Sequence, residues 1–227
     1  MRITTLAAVA AALIGCATTK TNSPGVGTHL SAAQEEAIAQ DQDREAAKHM
    51  AAYDPNAKEV KEICAVGGRA AFGDCWDNVV NPTAKELDEA KEHKRAAAEH
   101  RGASQSLRDA EARACSGLTD YDRDVSPFAH RDDILNASPL PKGALVVFKP
   151  VPTLTAAHLQ KIVDCHIARN DAMAHNVPEM LYCPLVPRDV TAIVTTTDEG
   201  FFAVKIESSD PDAAREVRYR AMNLTHR

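Results

Sequence analysis

The sequence contains no GxSxG, HExxH, Walker loop, GxGxxG or CxxC. The common signatures of hydrolases, zinc proteases, nucleotide-dependent enzymes and thioredoxin-type oxidoreductases are therefore missing, and the chain is read as non-catalytic, with no residue in a catalytic role. It also lacks basic blocks. A formal charge of −6 over 227 residues argues against nucleic acid as a partner and against electrostatic docking on anionic lipid. Aromatic residues are only 4% of the chain, with a single tryptophan, while alanine is abundant. Much of the chain should be helical, with thin cores. No repeat of solenoid length occurs.

What is present begins at the N-terminus. MRITTLAAVAAALIGC has one positive charge, Arg2, followed by an apolar run from Ile3 to Ile14. That run is too short to span a bilayer and reads as a secretory signal. Its end, Leu13-Ile14-Gly15-Cys16, resembles the lipobox of bacterial lipoprotein precursors. The resemblance covers the signal segment alone; no family is recognised for the folded part. It implies cleavage after Gly15 and lipidation of Cys16, whose thiol takes a diacylglycerol. Several acyl chains on Cys16 would hold the protein at a membrane without spanning it. Ala17, where the family's sorting pattern uses Asp for inner-membrane retention, implies an outer-membrane address facing the periplasm. The following ATTKTNSPGVG is small, polar and Gly/Pro-rich, as a flexible tether should be.

Five further cysteines remain: Cys64, Cys75, Cys115, Cys165 and Cys183. Disulfides persist outside the cytoplasm, and an odd number leaves one thiol over within a single chain. Cys64 and Cys75 enclose AVGGRAAFGD and are expected to pair. The other three allow three pairings, and a bridge from Cys183 to Cys165 or Cys115 would pin the proline-rich loop that carries Cys183.

The fold class expected is α+β: an N-terminal antiparallel helical hairpin followed by a small βαββα domain. The division is a signal peptide over 1–15, a lipidated tether over 16–28, the hairpin over 29–118, a linker with a short helix over 119–143, and the α+β domain over 144–227. Ser31 and Gln34 have capping-box spacing for a first helix ending near Tyr53-Asp54-Pro55, and Thr83 with Glu86 opens a second reaching about Cys115. Ala32, Ala39 and Ala46 recur every seven residues in the first. In the second, Ala96, Ala103 and Ala110 form one line and His93, His100, Leu107 and Ala114 its neighbour. Ser126-Pro127 suggests a short helix to about Asn136, and Pro139 and Pro141 an extended linker. ALVVFKPV (144–151), Val190 to Thr197 and Phe201 to Glu207 read as strands. Thr155 to about Ala174 and Pro211 to Leu224 read as helices. Nucleic-acid-binding folds share this order of elements, but their GxxG loop is absent.

Three clusters invite a chemical reading. Asp120, Asp122 and Asp124 resemble the opening of a calcium loop, but the register then puts Val125 where Gly is needed and Arg131 where a bidentate Glu should sit. His93 and His100 lie about 10.5 Å apart along one helix, too far to share an ion; His49 on the facing helix could join one of them. The third is DCHIARNDAMAHNVPEMLYC (164–183). Its Cys165, His166, His175, Met180 and Cys183 are sulfur and imidazole donors suited to copper or zinc. Adjacent Cys165 and His166 point about 100° apart on a helix, which opposes a shared site. On the helical projection His166 and Asn170 lie in the middle of the apolar arc, expected as hydrogen-bonded anchors. Cys165 lies at its edge, directed outward. A Cys115 or Cys165 nucleophile has no assignable His/Asp partner. The function expected is that of an acyl-anchored envelope lipoprotein, a structural or interaction module without cofactor, whose partner is an envelope protein; a periplasm-facing copper or zinc lipoprotein is the alternative.

Overall fold

A computed structural model describes residues 29–64 and 75–225. The expected signal peptide, Cys16 and the whole tether lie outside those residues, as does the loop between Cys64 and Cys75. The fold is α+β, with an N-terminal pair of antiparallel helices and two antiparallel sheets. Among the described residues no helix is long and apolar enough to cross a membrane.

Helix α1 (Ala32–Ala52) starts in a complete capping box. Ser31 Oγ accepts the Gln34 N–H at 3.1 Å while Gln34 Oε1 accepts the Ser31 N–H at 2.8 Å, so two otherwise orphaned donors are satisfied. Helix α2 (Ala84–Ala114) packs along it. Ala32, Ala39 and Ala46 are buried against Ala90, Ala97 and Ser104. The Ala96, Ala103, Ala110 line expected to face the partner does not: Ala103 is exposed and the other two half-buried. The contact line sits one residue on, because Ser104 tucks its hydroxyl onto the Ala32 carbonyl at 2.8 Å and so behaves as a small buried residue. Thr83 does not cap α2 with its side chain; its hydroxyl is engaged at the base of the connection, accepting the Asp54 N–H at 3.0 Å.

The connection carries the expected Cys64–Cys75 pairing, on strands that were not among the expected elements. It is a two-stranded ribbon, β1 (Glu59–Cys64) against β2 (Cys75–Val80), with Cys64 opposite Cys75 and joined to it by a disulfide. Neither strand alternates clearly between buried and exposed residues, since among the described residues no second layer covers the ribbon.

The C-terminal part corrects the linker. Residues 117–143 contain a one-turn helix α3 (Asp120–Asp124), two single 3₁₀ turns (Pro127–Ala129 and Arg131–Asp133) in place of one helix to Asn136, and a strand β3 (Ile134–Leu140). Pro139 is compatible with that strand because β3 is at the sheet edge, where a missing N–H breaks no ladder. With β4 (Gly143–Phe148), β5 (Val190–Thr196) and β6 (Phe202–Ser208) it forms an antiparallel sheet in the order β3-β4-β6-β5. The domain is thus ββαββα, one strand longer than expected, and the segment assigned as a linker belongs to it.

Ala144, Val146 and Phe148 of β4 and Phe202, Val204 and Ile206 of β6 point to one core. Helix α4 (Ala156–Ala172) adds Leu159 and Val163, and α5 (Pro211–Asn223) adds Val217 and Ala221. Phe128, fully buried, meets Phe148 with ring centroids 5.4 Å apart and planes tilted by 60°, and closes one end. At the β5 edge the Gln160 side chain of α4 donates to the Ala192 carbonyl at 3.0 Å and accepts the Val194 N–H at 2.7 Å.

Hairpin and sheet domain meet where α2 crosses α4. A disulfide joins Cys115, at the end of α2, to Cys165 in α4. Cys165 therefore does not point outward as the projection suggests: it is 0% exposed, because α2 covers that edge of the helix. Cys183 is bonded to neither partner and is buried as a free thiol. Arg169 adds an ion pair to Glu111 at 3.5 Å and another to Asp124 at 2.7 Å.

Candidate functional site

The stretch 164–183 forms most of α4 and the turn after it. The helix ends in a Schellman arrangement, with the Ala174 N–H on the Asp171 carbonyl at 3.0 Å and the His175 N–H on the Asn170 carbonyl at 2.7 Å. Ala174 and His175 both hold left-handed backbones (φ 53° and 60°) without glycine, a local cost of about 1–2 kcal/mol each by sterics. The reversal brings the chain back along α4. There Asn170 Nδ2 donates to the Leu185 carbonyl at 3.0 Å, and His175 Nδ1 donates to that of Val186 at 2.8 Å. Proline-rich 184–187 is thereby held by one side chain of α4 and one of the turn that ends it.

The five donors suggested as a soft-metal set are not gathered. Cys165 is in its disulfide. His166 Nε2 donates to the carbonyls of Asp122 and Val125 at 3.1 and 3.2 Å. His175 bonds Val186, Met180 packs on the core edge, and Cys183 Sγ shares a hydrogen bond with Ser126 Oγ at 3.2 Å. Burial pushes the Cys183 thiol up to about 11, so it stays protonated near neutral pH and is a poor nucleophile and ligand. Nor do the aspartates form a calcium loop: the Asp122 carboxylate accepts the hydroxyl of the N-cap Thr119, Asp124 meets Arg169, and Asp120 pairs with Arg123.

Because both acceptors of His166 are carbonyls, Nε2 must carry the hydrogen, which fixes the tautomer. Burial lowers its pKa; the two carbonyl bonds and Asp124 oppose that, and Arg169 reinforces it. The native state thus binds this proton less readily than the unfolded chain. Its contribution to stability is complete above the unfolded value near 6.5 and is lost as pH falls from there through the native value. Chemical denaturation at pH 7.5 and 5.5 should show a drop in stability that His166→Gln reduces. An equal drop in both proteins would remove His166 from the account.

A cleft of about 400 Å³ opens on the other side of α3. Val125, Phe148, Leu159 and Ile162 form its apolar floor, and Tyr121, His130 and His158 face it. Tyr121 Oη and His130 Nε2 are 3.1 Å apart, and His158 Nε2 is 3.6 Å from Asp122 Oδ2. The arrangement suits reversible binding of a small, partly apolar group. The sequence signal for it was poor: its walls come from a loop, a strand end and a helix start that no spacing rule connects.

A second polar arrangement lies along the hairpin. Every seven residues one imidazole meets a polar side chain of the opposite helix. His100 Nδ1 lies 2.6 Å from Glu35 Oε2 and His93 Nδ1 2.6 Å from Gln42 Oε1. His49 Nδ1 lies 2.7 Å from Glu86 Oε2 and 3.1 Å from Glu89 Oε2. The rings of His49 and His93 stack at 5.3 Å with planes 11° apart. The histidines flank the alanine seam, as their spacing suggested, but their partners could not be named without the register.

Comparison with family models, with curated proteins and with solved structures gave no match to this chain.

Proposed function

We propose that the protein is a non-catalytic, acyl-anchored envelope lipoprotein, held through Cys16 at the periplasmic face of the outer membrane, that engages an envelope protein through the β1–β2 ribbon. The ribbon is the observation that carries this reading. Val60, Ile63, Trp76 and Val79 are 62%, 39%, 53% and 59% exposed. They pair across the strands, Val60 with Val79 and Ile63 with Trp76. A two-stranded ribbon gains little stability in water on its own, and apolar residues concentrated on one are unfavourable unless something covers them. The disulfide at Cys64–Cys75 keeps its strands in register.

Other features support the reading. Disulfide bonds suit an exported chain. Cys115 and Cys165, the two cysteines considered as nucleophiles, are joined to each other.

One experiment tests anchor and arm together. A photoreactive amino acid replaces Trp76, in chains with native Cys16 and with Cys16→Ser, and intact cells are irradiated and fractionated. The native anchor should sediment with outer membranes and give one discrete adduct, whereas Cys16→Ser should leave the membrane fraction. Retention of Cys16→Ser in membranes would refute the anchor. Absence of any adduct from position 76 would refute the arm.

A further inference from the structure

We propose that His49, Glu86 and Glu89 form a zinc site that bridges the ribbon end of the helical hairpin. The nitrogen of His49 and one oxygen from each glutamate all lie within 4.8 Å of one another. Zinc holds such ligands at about 2.0–2.2 Å, which in a tetrahedron separates them by roughly 3.3–3.6 Å. The present 2.7 and 3.1 Å from Nδ1 to the two carboxylates need to open by less than about 1 Å for an ion to take the place of the shared hydrogen. That hydrogen moves to Nε2 or to water, and a water molecule completes four-coordination.

The other two rungs of the seam provide the contrast. Each sets one imidazole against one partner, Glu35 or the neutral amide of Gln42, and neither can chelate. Only at His49 is the carboxylate doubled, by residues three apart in the first turns of α2, which lie on one face of the helix. The donor set narrows the ion. One imidazole with two carboxylates suits zinc; calcium asks for six to eight oxygens, and copper(I) for sulfur. Surroundings that orient ligands are present as well. The His93 ring stacks on His49 and is itself held by Gln42. Lys85 binds Glu89 through Oε1 at 2.8 Å and so leaves Oε2 directed at His49.

A second cluster of ligand-type residues among those described, Glu62 with Cys64 and Cys75, carries no such inference, because its two sulfurs are bonded to each other.

Purified full chain, freed of metal by chelator and of any affinity tag, is titrated with zinc chloride in a calorimeter, with magnesium and calcium chloride in parallel. One zinc per chain is expected, with a rise in the melting temperature, and affinity at least tenfold weaker for magnesium and calcium. His49→Ala should weaken zinc binding at least tenfold. Glu86→Gln with Glu89→Gln should abolish it while circular dichroism shows unchanged helix content. His100→Ala, on a rung without the second carboxylate, should bind zinc as the native chain does. Substoichiometric binding, full binding by the double glutamine variant, or equal loss in His100→Ala would each overturn the assignment.

Discussion

Replacing Cys115 by serine should lower the unfolding free energy by about 4 kcal/mol. The Cys115–Cys165 bond closes a loop with a sequence separation of 50, and the entropy withheld from the unfolded chain by a loop of that length is worth about 4 kcal/mol. It also ties together two units that otherwise meet through α2 and α4 and a few ion pairs such as Glu111–Arg169. Urea denaturation followed by circular dichroism measures the effect as a lower midpoint. The other disulfide is the internal control. Cys64 and Cys75 close a ribbon that makes no extensive contact with the rest of the described residues, so Cys64→Ser with Cys75→Ser should loosen the ribbon and leave the urea midpoint nearly unchanged. A Cys115→Ser protein with native stability would mean that the two units hold together without the bond.

Gly143→Ala should be as damaging, by a different route. A Cβ at position 143 would lie 1.9 Å from the Ile206 carbonyl oxygen and 2.9 Å from its carbon, backbone atoms of the neighbouring strand that cannot swing away. To admit one methyl group, β4 must separate from β6 beside Ala144 and Ile206, both 0% exposed. Overpacking typically costs about 1–3 kcal/mol, and a clash with backbone in the centre of a sheet belongs at or above the top of that range. The same substitution at Gly102 has the opposite expected sign. Nothing lies within 4 Å of a Cβ there, and replacing glycine inside a helix should stabilise by about 0.5–1 kcal/mol. Thermal melts of the two variants should move in opposite directions. A Gly143→Ala protein that melts with the wild type would contradict the close approach of β4 and β6.

What could be read from the sequence was local. Ser31 with Gln34 caps the helix that follows, because the chemistry of a cap lies within four residues; Thr83 with Glu86 has the same spacing but does not, its hydroxyl being engaged by Asp54 from the other side of the connection. The apolar run at 144–151 and the stretch 201–207 read as strands, and strands occupy 143–148 and 202–208. The α+β class follows from these signals. What could not be read depended on partners distant in the chain. The alanine line that faces α1 was misplaced by one residue, about 100° of helix, since a serine that bonds a facing carbonyl looks polar in sequence. β1 and β2 give no alternation because no other described element packs extensively on them, and β3 was hidden by Pro139, which an edge position permits.

The candidate site was less legible still. Cys115, Cys165 and Cys183 are equivalent in sequence; the crossing of α2 over α4 chooses among them. His49 stands 37 residues from Glu86, and only the register of the hairpin brings them into contact. His166 and Asn170 are the exception. Their position in an apolar arc pointed to hydrogen-bonded anchors, and their partners are the α3 segment and the chain at Leu185.

The Gln160 amide at β5 has a consequence for how this protein meets others. By donating to Ala192 and accepting from Val194, it presents to the strand the same pair of groups that a neighbouring strand would. A foreign extended peptide, or a second copy of the chain, finds that stretch already answered, while Pro139 on β3 withholds a donor at the opposite border. Among the described residues, intermolecular sheet growth is thus discouraged at both margins of the larger sheet, whereas each strand of the two-stranded β1–β2 ribbon has a neighbour on one side alone.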